Sequence, residues 1–340
     1  MLANVNYLYG KPATIGQYKQ QYTDFVVKED LGFELTGDGE HIFVYIQKCD
    51  CNTVYVAEQL AKYVGISPRL VSYAGLKDRQ AVTQQWFSLH MPGQATPDFA
   101  EFHVNGCQIL QVTRHNKKLK IGALKGNYFN IILRELSAKT ELDAKLTLIG
   151  QHGVPNYFGE QRFGRDGNNL TQALKWANGE IKVKDRHKRS FYLSAARSAI
   201  FNDIVSKRIE QNLHQQVLVG DILQLVQRGS WFVAPITELD ELQQRLQQGE
   251  LNITAPMVGD SPLGTEAAAL GFEQKCLHNW SEFNALFKQE RLATTRRSLL
   301  LRPQQLIWQW LDDSSIDISF YLPAGSYATS VIRELIIGNE

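Results

Sequence analysis

No run of apolar residues in these 340 positions is long enough to cross a bilayer. The opening Met1-Leu2-Ala3-Asn4-Val5-Asn6 has neither a basic flank nor an apolar core, so no secretory leader is expected. Cysteine is scarce. Cys49 and Cys51 stand one residue apart, while Cys107 and Cys276 are isolated, which is neither a disulfide framework nor zinc-ligand spacing. Reduced thiols in a cytoplasmic protein are the expectation. Internal repeats and low-complexity tracts are missing as well. So are the usual cofactor signatures: no G-x-x-x-x-G-K-[ST], no G-x-G-x-x-G between a strand and a helix, no H-E-x-x-H and no G-x-S-x-G. Gly122-Ala123-Leu124-Lys125-Gly126 lacks the spacing of a phosphate loop and reads as a turn. These absences weigh against ATP, dinucleotide and metal enzymes, and no cofactor or metal is expected.

Net charge is also nearly absent, at +1. Its distribution says more than its sum. Basic residues gather in Arg114-His115-Asn116-Lys117-Lys118-Leu119-Lys120, in 182–189, and around Arg291, Arg296, Arg297 and Arg302, while acids concentrate elsewhere, as in Glu238-Leu239-Asp240-Glu241. Each run alone reads as a solvated face or loop; gathered on one surface, they would suit a phosphate backbone.

Apolar content of 44% and charged content of 21% are those of an ordinary globular chain, and the length suggests two domains. His41–Gln47 reads as a strand. Asn52-Thr53 then caps a helix with apolar residues at 57, 60, 61 and 64, ended by Gly65 and Pro68. Val71-Ser72-Tyr73 and Gln85–Leu89 are strands flanking a glycine-containing loop, and 107–112 and 129–133 are further strands. Phe129, Ile131 and Leu133 alternate with more polar neighbours, so one face should be buried. Thr140-Glu141-Leu142-Asp143 resembles a capping box opening a helix that stops near Gly153. Beyond 164 the pattern turns helix-rich, with one long helix over 190–209. A hairpin is expected about Arg228-Gly229-Ser230 and a loop over 254–262. Strand character returns near Ile318, followed by a short terminal helix.

The loop between the two strands holds Lys77, Asp78 and Arg79. In isolation Asp78 reads as a turn former or half of a surface ion pair. A resemblance to a known family changes that. Ala74-Gly75-Leu76-Lys77-Asp78-Arg79-Gln80-Ala81-Val82-Thr83-Gln84-Gln85 resembles the catalytic motif of the TruD family, the tRNA pseudouridine-13 synthases. Four more segments follow in the family's order: Lys28-Glu29-Asp30-Leu31-Gly32-Phe33, Gly126-Asn127-Tyr128-Phe129, Asn156 to Gly164, and Phe320 to Ser330. One departure is visible at Tyr22-Thr23-Asp24-Phe25, where the family usually has Pro and an acid before Asp-Phe.

The resemblance implies an α+β fold. A discontinuous pseudouridine synthase domain (1–152 with 303–340), built on a mixed, largely antiparallel sheet, would carry an inserted TRUD α/β domain (153–302). It implies a cytoplasmic isomerase acting on tRNA, with no membrane and no small-molecule cofactor, and a monomer is the favoured state. Isomerisation breaks the N1–C1′ bond, turns the base and joins C5 to C1′, without redox change or an external group. Asp78 would act as the anion, whether it attacks C1′ or takes a proton on a glycal route. Like charge from RNA phosphates opposes ionisation of that carboxylate, so a cation should stand near it, and the resemblance points to Lys19. Lys77 and Arg79, adjacent in sequence, should diverge. Phe129 would stack on the flipped uracil with Asn127 hydrogen-bonding nearby, and Phe25 is a candidate second wall. A passive RNA-binding module, a methyltransferase or a hydrolase using Asp78 are the competing readings.

Overall fold

Alternating and helical patterns in the first 150 residues become β1 (Gln17–Tyr18), β2 (Phe25–Asp30), β3 (His41–Cys49), α1 (Thr53–Tyr63), β4 (Val71–Tyr73), β5 (Val82–His90), β6 (Cys107–His115), β7 (Gly126–Arg134) and α2 (Lys139–His152). The computed structural model describes residues 5–226 and 228–338. Its contacts fall into two units. The first takes Pro12–Gly150, Pro303–Ala328 and the residues from Leu335. The second takes Gln151–Arg302, Thr329–Glu334 and the residues up to Lys11.

The second unit holds β8 (Val154–Pro155), α3 (Asn168–Ala177), α4 (Arg186–Glu210), β9 (Ile222–Leu225), β10 (Trp231–Val233), α5 (Leu239–Gln247), β11 (Leu251–Met257), α6 (Ala267–Leu277), α7 (Phe283–Gln289), β12 (Thr295–Ser298) and β13 (Leu300–Leu301). The chain then returns to the first unit through β14 (Gln304–Trp310) and β15 (Ile316–Pro323), and ends in α8 (Ala328–Leu335).

In the first unit the sheet runs β14-β15-β7-β2-β5-β3-β6, with β1 on β7 and β4 on β5. Among the described residues β2 and β5 are its one parallel pair of named strands; the others are antiparallel. The fold is therefore α+β on a mixed, largely antiparallel sheet. Strand β3 is buried on both faces. Ile42, Val44 and Ile46 pack with Val56, Leu60 and Ala61 of α1, while Phe43 packs with Trp86 and Leu119 on the other side. That is why the strand reads as an unbroken apolar run.

In the second unit β10-β9-β11-β12 form an antiparallel sheet, and β13 pairs with β8. The expected hairpin is present between β9 and β10. The long helix is α4, which begins at Arg186, four residues earlier than the apolar spacing suggests. The Asp185 carboxylate accepts from the Lys188 N–H there and starts it.

Three expectations need correction. The loop expected over 254–262 is half strand: β11 runs to Met257, with Thr254 and Ala255 fully buried. Thr140 lies inside α2 rather than before it, and Glu141 instead accepts from the Ala13 N–H and the Thr14 hydroxyl. Asn52 occupies the cap of α1 without a side-chain cap bond.

Charge inside the second unit is paired. Arg208, almost fully buried, holds Asp221 through two guanidinium bonds of 2.8 and 2.6 Å and also donates to the Leu213 and Gln216 carbonyls. Arg208→Ala leaves a buried carboxylate without its cation. It is expected to cost about 3–5 kcal/mol, read as a lower urea midpoint for the transition of this unit; an unmoved midpoint would contradict the pairing.

Candidate active site

The Asp78 loop is hung between β4 and β5, and β5 lies beside β2 with Val26 opposite Val82 and Lys28 opposite Gln84. Strand β2 in turn pairs with β7, setting Glu29 opposite Asn127 and Asp30 opposite Gly126. On the far side of β7, β15 sets Phe320 opposite Phe129 and Pro323 opposite Gly126. Four of the five segments singled out in the sequence thus lie on neighbouring strands or the loop beside them. Gly126 belongs there for a steric reason: a Cβ at this position would stand 2.3 Å from the Tyr321 hydroxyl and 2.4 Å from the Leu322 carbonyl oxygen. The Tyr321 hydroxyl donates to Asp30 Oδ2 at 3.0 Å, tying the last segment to the first.

Lys19 and Asp78, 59 residues apart, form an ion pair with Nζ–Oδ2 at 3.2 Å. The pair is asymmetric. The lysine side chain is 3% exposed and the Asp78 side chain 36%, so the cation stands behind the carboxylate and the carboxylate faces out. Lys19 also lies over the Phe25 ring, 4.7 Å from its centroid. It adopts a left-handed backbone at φ 60°, a conformation that costs a non-glycine residue about 1–2 kcal/mol. The departing segment next to it is well anchored. Residues Tyr22–Asp24 form a 3₁₀ turn in which buried Asp24 accepts from the Gln21 N–H and from Arg134 of β7. This fixes the start of β2 and the place of Phe25.

Lys77 and Arg79 do diverge from Asp78. Arg79 pairs on the surface with Asp50 at 2.7 Å. Lys77 turns inward to Glu29 Oε1 at 3.1 Å and donates to Asn127 Oδ1 at 2.5 Å. Burial pushes the Glu29 carboxyl above its ordinary range, and the Lys77 charge works against that. Asn127 therefore reaches the loop through Lys77, from whose ammonium its side-chain oxygen accepts.

The aromatic residues form one group. Phe25 meets Phe129 edge-on at 6.2 Å, and Phe320 stacks on Phe129 at 5.5 Å with 24° between the rings. Phe129 is only 8% exposed.

Two functional candidates escaped the sequence reading, Glu29 and Lys48. Both occupy positions that alternation assigns to the buried row of their strands: Phe25, Val27, Glu29 on β2 and Ile42, Val44, Ile46, Lys48 on β3. A charge in such a row was the available signal. Lys48 is fully buried. Its Nζ donates to the carbonyls of Cys51 (2.8 Å), Asp78 (3.0 Å) and Lys77 (3.4 Å), so it holds the backbone on which Asp78 sits. Burial pushes this ammonium below the usual lysine range. Thr53, at the start of α1, adds an acceptor for the Lys77 N–H and donates to Gln85.

The fifth segment, Asn156 to Gly164, lies in the second unit. There Asn156 bonds the Ser298 carbonyl and Arg297, and the Phe158 backbone exchanges two bonds with Asn202. Arg297 stacks over Phe158 at 4.4 Å. Arg296 is buried against Glu273 and Thr254. Two members of that basic cluster are thus spent on internal packing. In the 182–189 run Arg189 is likewise bound to Glu290 and lies over Trp176.

Nearly the whole chain, residues 2–173 and 166–335, matches the family model for tRNA pseudouridine synthase D (TruD). A crystal structure of a Methanosarcina mazei protein assigned as a tRNA pseudouridine synthase D superposes with a TM-score of 0.78, covering 98% of this chain and 97% of that one at 23% identity. The two share a fold. Among the described residues no helix is long and apolar enough to cross a membrane. With its sequence matched from one end to the other, the chain belongs to the tRNA pseudouridine synthase D (TruD) family, whose members are isomerases.

Proposed function

We propose that this chain isomerises uridine 13 of tRNA to pseudouridine with Asp78 as the catalytic carboxylate. The observation that carries the reading is the asymmetric pair, an outward-facing carboxylate backed by a nearly buried lysine. Such a pair keeps an anion ready beside a ribose without a metal or a cofactor. Asp78 acts at the sugar, at C1′ or on the proton of the glycal route. The N1–C1′ bond breaks and the base turns. C5 then bonds to C1′, the C5 proton leaves, and N1 is reprotonated. Reactant and product have the same composition.

Phe129 and Phe25 are the walls for the flipped base, with Phe320 as a rigid backing to Phe129. With so little of Phe129 exposed, a base stacking on it displaces a neighbour as it enters. Asn127, oriented by Lys77, is the polar group on the same side. The first unit is the synthase domain and the Gln151–Arg302 segment the family's insertion domain. All of these groups come from one chain, so a monomer suffices, and the substrate places the protein in the cytoplasm. A passive RNA-binding module has no use for a carboxylate held this way.

The test is tritium release from unmodified tRNA carrying 5-tritiated uridine, with the modified position mapped afterwards. Release without modification at position 13 would refute the site assignment; no release at all would refute the isomerase reading. Lys19→Met in the same assay should lower kcat/KM roughly a hundredfold with little change in tRNA affinity, the scale on which one charged catalytic contact usually counts. A drop of less than twofold would remove Lys19 from the mechanism.

A further inference from the structure

Among the described residues, the first basic run, like the exposed lysines of the 182–189 run, retains free charge. Arg114 is committed to Thr96, Gly39 and Gln94, but Lys117, Lys118 and Lys120 are exposed, and no partner is found for their ammonium groups among the described residues. The loop bearing them is fixed. Leu119 is buried in the core beneath it, and the Gly122 N–H donates to the Ala74 carbonyl at 2.7 Å.

These lysines rim a groove of about 680 Å³ whose other side carries His41, His115 and Phe33. Phe33 is 43% exposed, and its ring stacks on His115 at 5.3 Å with 26° between the planes. His115 is braced edge-on by Phe43 and accepts from the Thr36 N–H at Nδ1, which puts its own proton on Nε2. Burial holds both imidazoles below the usual histidine range, helped by His90 at His41 and by Lys117 at His115, so the groove's positive charge comes from its lysines. One carboxylate, Glu34, also lines it. An exposed aromatic face backed by a rigid ring, beside unpaired ammonium groups, is what an unstacked base and its flanking phosphates require. The volume is ample for one nucleotide.

His41 opens β3, and Lys48, seven residues further on, touches the Asp78 carbonyl. At ~3.3 Å per residue the His41 end of the groove lies about 23 Å along β3 from Lys48, while its Lys120 end adjoins Ala74 at the start of the Asp78 loop. We propose that this groove is a second nucleotide-binding site, in which one unpaired nucleotide of the RNA substrate stacks on Phe33 while Lys117, Lys118 and Lys120 hold its phosphates. The proposal rests on the isomerase reading for the identity of the RNA.

The experiment compares the wild-type chain with Phe33→Ala and with Lys117→Glu/Lys118→Glu/Lys120→Glu. Equilibrium binding of unmodified tRNA is measured by fluorescence anisotropy at several salt concentrations, and tritium release gives kcat and KM. The triple variant is expected to bind tRNA about tenfold or more weakly and to lose roughly two to three from the salt slope, with kcat unchanged. Phe33→Ala should weaken binding about fivefold or more without altering the slope. Wild-type affinity and slope in both variants would overturn the proposal, as would a fall in kcat equal to the loss of binding. If the wild type binds tRNA through these residues yet releases no tritium, the isomerase reading fails and the groove stands.

Discussion

Asp78→Asn is expected to release no measurable tritium from 5-tritiated tRNA, at least about a thousandfold below the wild type, and still to bind tRNA within about twofold. The size of the first effect follows from the role. Removing the one group that acts at the sugar removes a step rather than a fraction of its stabilisation, and losses of this order accompany the loss of such groups elsewhere. The second follows from the geometry. The amide is isosteric with the carboxylate, the side chain is partly open to solvent, and the loop backbone is held from below by Lys48 rather than by the Asp78 side chain. The variant loses charge at one point and little else. Normal release by Asp78→Asn would end the assignment, however well the protein bound RNA.

Lys48→Met is expected to lower kcat about a hundredfold while leaving KM for tRNA unchanged. Methionine has nearly the reach of lysine and fills the space without strain. It supplies no donor, so the carbonyls of Cys51, Lys77 and Asp78 lose the bonds that fix them. Each unsatisfied carbonyl costs about 1–3 kcal/mol, but relief from burying an ammonium offsets part of the sum, and the unit should remain folded. The carboxylate then no longer sits in one place. A displacement of about 1 Å at a reacting group is worth on the order of a hundredfold in rate. Urea unfolding separates this from a general loss of structure. A variant that is fully folded and turns over within twofold of the wild type would show that the loop needs no such anchor.

Much of the sheet can be read from the chain. Strand β3 announces itself because both its faces are apolar, and β7 because Phe129, Ile131 and Leu133 keep strict alternation. Strand β11 was hidden by composition: Pro256, Gly259 and Asp260 look like a loop, yet Pro256 sits in the ladder opposite Arg296. Strand β14 went unseen because it is an edge. Ile307 is exposed, and a left-handed Gln305 breaks its rhythm. At the site, the spacing of residues could not pair Lys19 with Asp78; only family resemblance joined positions so distant, and the fold brings them within 3.2 Å. Glu29 and Lys48 were missed for a different reason. Alternation marks each as a charge in a buried row, but it does not say which side chain or backbone atoms from another part of the chain that charge will meet.

The short β8–β13 ladder has a consequence for how the chain assembles. Strands β7 and β15 pair across some 180 residues of intervening sequence, a separation that makes a contact slow to form. Within that stretch, Val154 pairs with Leu301 and Pro155 with Leu300, so the ends of the intervening segment are clasped together. Once that clasp has closed, the loop remaining between β7 and β15 shrinks to about 35 residues, and the entropy of joining them falls by roughly 1.5 kcal/mol. A sheet that would otherwise wait on a distant strand is completed as if its last pieces were near neighbours. The order of events that favours it is insertion first, sheet second.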